Sequence, residues 1–141
     1  MKTALDTNVL SALWSREASA SLLVPALQEA QRTGTLVLSP PAYAECLAHP
    51  FFTEEQIQQI LADAGVVVQL SLLDAVWIEA GRRYRQYPIR RRQPRTEPPR
   101  RLLADFLIGA HALLQAEQLL TLDRNFYRTY FPELRLYSLG A

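Results

Sequence analysis

Short apolar runs of three to five residues recur along the chain, separated by longer stretches in which apolar residues return every three or four positions. The first run, Thr3-Ala4-Leu5, ends on Asp6, and its brevity predicts a buried strand with the acid at its carboxyl end. A helical region follows to about Arg32, with a break expected near Pro25 and a stop at Gly34. Thr35-Leu36-Val37-Leu38 reads as the second strand. Ser39 ahead of Pro40-Pro41 predicts a capped helix that carries Glu45 and ends before Pro50. Thr53-Glu54-Glu55-Gln56 offers a capping box for the next helix, terminated by Gly65. Val66 to Leu70 is β-branched and apolar enough for a third strand. Ser71-Leu72-Leu73-Asp74 repeats the capping pattern and predicts a helix to about Tyr87. After a loop or arm from Pro88 to Pro99, Arg101 to Glu117 reads as a helix packed through Leu102, Phe106, Leu113 and Leu114. Leu119 to Leu122 is a fourth strand ending at Asp123, and Leu134 to Tyr137 a short fifth at an edge. Strands alternating with helices predict an α/β fold: a mostly parallel sheet of four or five strands with helices on both faces.

The length, 141 residues, fits a single domain over 1–141, and 49% apolar residues supply a core. A lone cysteine, Cys46, excludes an intrachain disulfide and a cysteine-rich zinc site. The first apolar run meets Asp6 too early for a signal sequence, and no later uncharged run reaches about 18 residues. The expectation is a cytoplasmic protein that does not span a membrane.

Charge changes the picture more than composition does. The formal net charge is +1, yet nine of the 15 basic residues, all arginine, fall between Arg82 and Arg101 beside a single acid, Glu97. Such a segment suits phosphates or an acidic protein partner. Arg82, Arg83, Arg85, Arg90, Arg91, Arg92 and Arg95 are the candidates, against the plain reading of a solvated face. Tyr84 and Tyr87 either stack on bases or pack into the core.

Asp6 and Asp123 stand at the ends of predicted strands, the edge where open α/β sheets bind ligands. Glu45 follows the second strand, and Asp105 opens the helix that leads into the fourth. Short connections allow all four to share one pocket. Clustered carboxylates oppose one another's ionisation unless a cation joins them, and hard oxygen donors suit Mg²⁺ or Mn²⁺, one or two ions. Such a site can hydrolyse a phosphodiester through activated water. Each acid alone also has an ordinary role as a turn, cap or surface residue. His49 and His111 read as structural, since His111 lies off the face of Asp105.

In this order the motifs resemble the PIN-domain nucleases, most of all the VapC-type toxin ribonucleases of VapBC toxin–antitoxin systems. The resemblance rests on Leu5-Asp6-Thr7-Asn8-Val9-Leu10, on Glu45, on Asp105-Phe106-Leu107-Ile108-Gly109-Ala110-His111-Ala112, and on Leu120-Thr121-Leu122-Asp123-Arg124-Asn125-Phe126. It implies a three-layer fold, catalytic and metal-binding Asp6, Glu45, Asp105 and Asp123, and support from Thr7 or Asn8, Thr121 and Gly109. Gly109, one turn after Asp105, would let backbone approach the site. Where members carry a second late acid this chain has Asn125, whose amide oxygen can ligate without adding charge. The resemblance further implies an endoribonuclease toxin that forms a homodimer and is held by a VapB-type antitoxin. An RNA-processing nuclease without an antitoxin, or a non-catalytic RNA- or protein-binding domain, is the alternative.

Overall fold

The computed structural model describes residues 1–87 and 102–139. Four strands form one parallel sheet in the order β3-β2-β1-β4: β1 (Lys2–Leu5), β2 (Thr35–Leu38), β3 (Val66–Val68) and β4 (Gln118–Leu120). Ala4 lies opposite Val37 on one side and Leu119 on the other, so β1 is central. The strands are apolar throughout because parallel strands under helices are buried on both faces; Ala4, Leu5, Leu36, Val37, Leu38, Leu119 and Leu120 are all buried.

Seven helices connect and cover the described strands: α1 (Thr7–Trp14), α2 (Ala20–Thr33), α3 (Pro40–Leu47), α4 (Glu54–Asp63), α5 (Asp74–Arg85), α6 (Leu102–Gln115) and α7 (Arg124–Tyr130). Passing from β1 to β2 to β3 the chain steps one way across the sheet, then returns past all three to reach β4. Right-handed crossovers therefore put the α5–α6 connection on the face opposite α2 and α4. The step direction reverses at β1, between β2 and β4. That reversal opens a crevice at the carboxyl ends of β1 and β4, the place where such sheets hold ligands.

Several expected boundaries move. The first helical region breaks between Trp14 and Ala20, not at Pro25, which lies inside α2. Arg16 in that break takes a positive φ of 54°. One missing amide near the start of α2 is tolerated because Leu23, Ala26 and Ala30 bury a continuous stripe around it. The capping box at Thr53 forms with Gln56, and Gly65 supplies the left-handed turn after α4 at φ 71°. Ser71 caps nothing: α5 begins after Leu73, whose amide donates to Gln115 Oε1 of α6 at 3.0 Å, so tertiary contact sets that start. The third and fourth strands are shorter than expected, and the fifth is reduced to one parallel bridge between Leu119 and Leu136. Leu114 is exposed, while Phe106 is fully buried and Leu113 packs on the core.

His111 is structural, as expected. Its ring is buried, and Nε2 meets Gln69 Oε1 from the end of β3, which selects the tautomer that donates from Nε2. Burial, aided by the charge of Lys2, pulls its pKa from 6.5 down to about 4. The unfolded chain therefore binds the proton first as pH falls. Stability from this group is complete above pH 6.5 and is lost between 6.5 and about 4, a drop of at most about 3 kcal/mol. Urea unfolding across that window is expected to show the loss in the native chain and a shallower slope in His111→Gln; parallel profiles would contradict it.

Candidate active site

Asp6 leaves β1 at the first residue past the strand, in the cap position of α1, yet its side chain makes no cap hydrogen bond. Its carboxylate turns instead to the neighbouring strand end, where Thr121 Oγ1 donates to Asp6 Oδ2 at 2.7 Å. The same hydroxyl oxygen accepts the amide of Asp123 at 3.0 Å. Asp6 N donates to Leu120 O at 3.0 Å, and Leu122 N donates to Asn8 Oδ1 at 3.2 Å. The loop after β4 is thus stitched to the start of α1. Asp123 sits three residues past β4, not directly at its end, again in a cap position that its side chain does not use.

Asp105 arrives from the other side, in the first turn of α6. The group that gathers these acids is Tyr127, in α7. Its hydroxyl donates to the Asp105 carbonyl oxygen at 3.5 Å, and the Asp6 carboxylate is near enough to act on it electrostatically. Burial, followed by the negative charges of Asp6, Asp105 and Asp123, drives its pKa well above 10. Tyr127 is therefore a neutral donor that feels the charge of three of the four expected acids. Sequence reasoning missed it. The available signal was its position one turn after Asp123, a spacing that directs a helical side chain back toward the preceding turn.

Glu45 reaches the same edge from α3, where Thr7 Oγ1 donates to Glu45 Oε1 at 2.6 Å. Thr7 thereby couples Glu45 to the residue next to Asp6. Gly109 has a different reason from the one expected: a Cβ there would stand 2.5 Å from the Phe131 ring, so glycine admits an aromatic side chain under α6. Asn125 is exposed in the first turn of α7.

The arginines divide. Arg83 is largely buried, pairs with Glu79 at 2.7 Å and Glu133 at 2.8 Å, donates to Tyr130 O at 3.0 Å and covers the Phe131 ring at 4.7 Å. It holds α5 to the segment after α7, so among the expected arginines it has a structural role within the chain. Its hydrogen bonds hold the Glu133 carboxyl down at about 2. Arg82 and Arg85 are exposed. Arg90, Arg91, Arg92 and Arg95 lie outside the described residues. Tyr84 and Tyr87 pack against Phe106 with ring centroids at 5.3 and 6.0 Å, which decides for packing over base stacking.

Among the described residues, no group of three or more His, Cys, Asp and Glu side chains draws close enough to hold an ion by itself. The donors on offer at this edge are carboxylate, hydroxyl and carbonyl oxygens. Such a set fits a hard ion that binds through one or two carboxylates and keeps most of its water, the habit of Mg²⁺. Cys46, next to Glu45, adds no soft ligand, since burial pushes its thiol up to about 12.

Thr121→Val keeps the shape but removes the hydroxyl that serves both Asp6 and Asp123. Thermal and urea unfolding are expected to show a loss of about 1–3 kcal/mol; an unchanged stability would mean the hydroxyl does not carry the junction.

The geometry has parallels among known proteins. The PIN domain family model matches residues 3–132. The fold resembles a solved structure of VapBC2 from Rickettsia felis bound to a DNA fragment from its promoter, at TM-score 0.68 and 18% identity over 99% of this chain and 100% of that one. It also resembles VapBC-1 from nontypeable Haemophilus influenzae, at TM-score 0.66 and 22% identity over 96% of each chain. No curated protein matches by sequence. With the family model spanning nearly the whole chain, and the parallel sheet and its strand-end acids where they are, the chain belongs to the PIN domain family.

Proposed function

We propose that this chain is a metal-dependent endoribonuclease of the VapC type, the toxin of a toxin–antitoxin pair. The observation that carries the reading is the junction at the reversal point of the sheet, where Thr121 binds the Asp6 carboxylate and the Asp123 amide, with Glu45 tied in through Thr7 and Asp105 joined through Tyr127. Membership of the PIN family and likeness to two VapBC structures support it.

Asp6, Glu45, Asp105 and Asp123 would hold Mg²⁺ or Mn²⁺, one or two ions. The ion would supply Lewis-acid stabilisation of charge on the phosphate and an activated water. Thr121 fixes the Asp6 carboxylate. Tyr127, kept neutral by burial and by the acids, donates to the Asp105 carbonyl and ties α7 to the start of α6. Arg82 and Arg85, together with Arg90, Arg91, Arg92 and Arg95, would meet the RNA backbone, which raises affinity without reading sequence. A VapB-type antitoxin would restrain the enzyme, in the cytoplasm. A second copy would cover Leu73, Trp77 and Ile78, which α5 and the turn before it leave about half exposed.

Three measurements test this reading. Protein purified free of other chains is expected to cut mixed RNAs with Mg²⁺ or Mn²⁺ and to stop with excess chelator. Asp6→Asn and Asp105→Asn should each lower the rate at least about a hundredfold, the scale of losing an electrostatic catalytic group, while folding persists. RNA binding without cleavage under metal-replete conditions would instead favour a binding domain. Arg82→Ala with Arg85→Ala should weaken RNA binding and flatten its salt dependence; an unchanged salt slope would remove these side chains from the interface. Sedimentation is expected to show a dimer that Trp77→Asp dissociates, and a native monomer would refute the pairing.

A further inference from the structure

Beside the acids lies a cavity of about 330 Å³ that shares Glu45 with the proposed metal site and extends away from it. Thr7, Asn8, Ser11, Trp14, Glu45 and His49 are among its lining residues. Two of them, Thr7 and Glu45, form the hydrogen bond that ties α3 to the site. The cavity is therefore continuous with the place where the phosphate would be cut.

Its walls are of two kinds. On one side are rings: Trp14 and His49 meet edge to face at 5.4 Å, and Phe52 backs Trp14 at 5.6 Å. Phe51, next along from His49 at 5.6 Å, is left 84% exposed. The amide of Phe51 donates to His49 Nδ1, which places the ring proton on Nε2 when the imidazole is neutral. The rest of the lining includes short polar groups. The Asn8 Oδ1 accepts from Leu122 N, so the amide end that Asn8 has to offer is its NH2 donor. Ser11 adds a hydroxyl, and Glu45 a carboxylate.

We propose that this cavity receives one unstacked nucleobase of the RNA, next to the phosphate that is cut. The inference rests on the RNA substrate proposed above. Among the described residues no lysine or arginine lines the cavity to hold a phosphate, so the neutral, hydrogen-bonding part of a nucleotide is what enters. Aromatic side chains take any base by stacking, whereas hydrogen-bonding groups in the same cavity discriminate among base edges. The cavity is of the size that small planar ligands occupy. A protein segment, the other conceivable occupant, has no equal need of planar stacking surface beside hydrogen-bonding groups in so small a volume.

The chain holds two tryptophans, Trp14 and Trp77. Labelled with 5-fluorotryptophan, it gives one fluorine resonance for each, and loss in Trp14→Phe assigns the first. Titration is carried out in chelator, so that binding is read without cleavage, using a mixed-sequence single-stranded RNA oligonucleotide and a matched abasic oligonucleotide. The intact RNA is expected to shift the Trp14 resonance saturably and leave that of Trp77 in place; the abasic strand should not shift Trp14. Trp14→Ala should weaken RNA binding about five- to a hundredfold, and Trp14→Phe should restore most of it, with an unmoved Trp77 resonance confirming that both variants fold. An equal Trp14 shift with the abasic strand, full affinity in Trp14→Ala, or a Trp14 shift on adding a protein partner alone would overturn the proposal. Because this readout does not need cleavage, it can fail while the nuclease reading stands, and the reverse.

Discussion

One hydroxyl joins the two halves of the active edge. Thr121 Oγ1 donates to the Asp6 carboxylate while accepting the Asp123 amide, so the ends of β1 and β4 are fixed to one another through a single buried atom. A buried carboxylate is costly unless it is hydrogen-bonded. Thr121 supplies such a bond to Asp6, which lies almost completely buried. The sheet order makes this possible, because β4 returns to the side of β1 opposite β2 and no helix has to cross between their carboxyl ends.

The packing around that junction explains residues that look functional but serve the frame. Arg83 spans Glu79, Glu133 and the Phe131 ring, and Phe131 fills the space that Gly109 leaves. A chain of aromatic contacts then runs from Phe131 through Phe106 to Tyr84, Tyr87 and Tyr130. Together these hold α5, α6 and α7 at fixed separations. The position of Tyr127 among the acids depends on that frame, since α7 has only seven residues and little stability of its own.

The place of Asp6 was legible in the sequence because a short apolar run marks a buried parallel strand and leaves the next residue at the edge, whereas Asp123 stands three residues beyond β4. The order of elements and the capping box at Thr53 were legible for equally local reasons. Tertiary contact decided what was not. The start of α5 follows from Gln115 reaching Leu73, and the fate of Arg83 from two acids of which one, Glu133, lies fifty residues away. Pro25 failed as a break because burial on either side outweighed one missing hydrogen bond. Tyr127 went unnoticed because a tyrosine near the end of a chain carries no chemical signature until the acids surround it. The aromatic cavity was equally hidden, since Trp14 lies far in sequence from His49 and Phe52.

The central claim is that the ends of β1 and β4 form one cation-attracting edge. Titrating isotope-labelled protein with Mn²⁺ and following paramagnetic broadening of its amide resonances tests this directly. The account predicts that Thr7, Thr121 and Leu122 broaden first, while Thr33 and Gly34 at the opposite end of the sheet stay sharp. Broadening centred on the opposite end, or spread evenly over the surface, would contradict it.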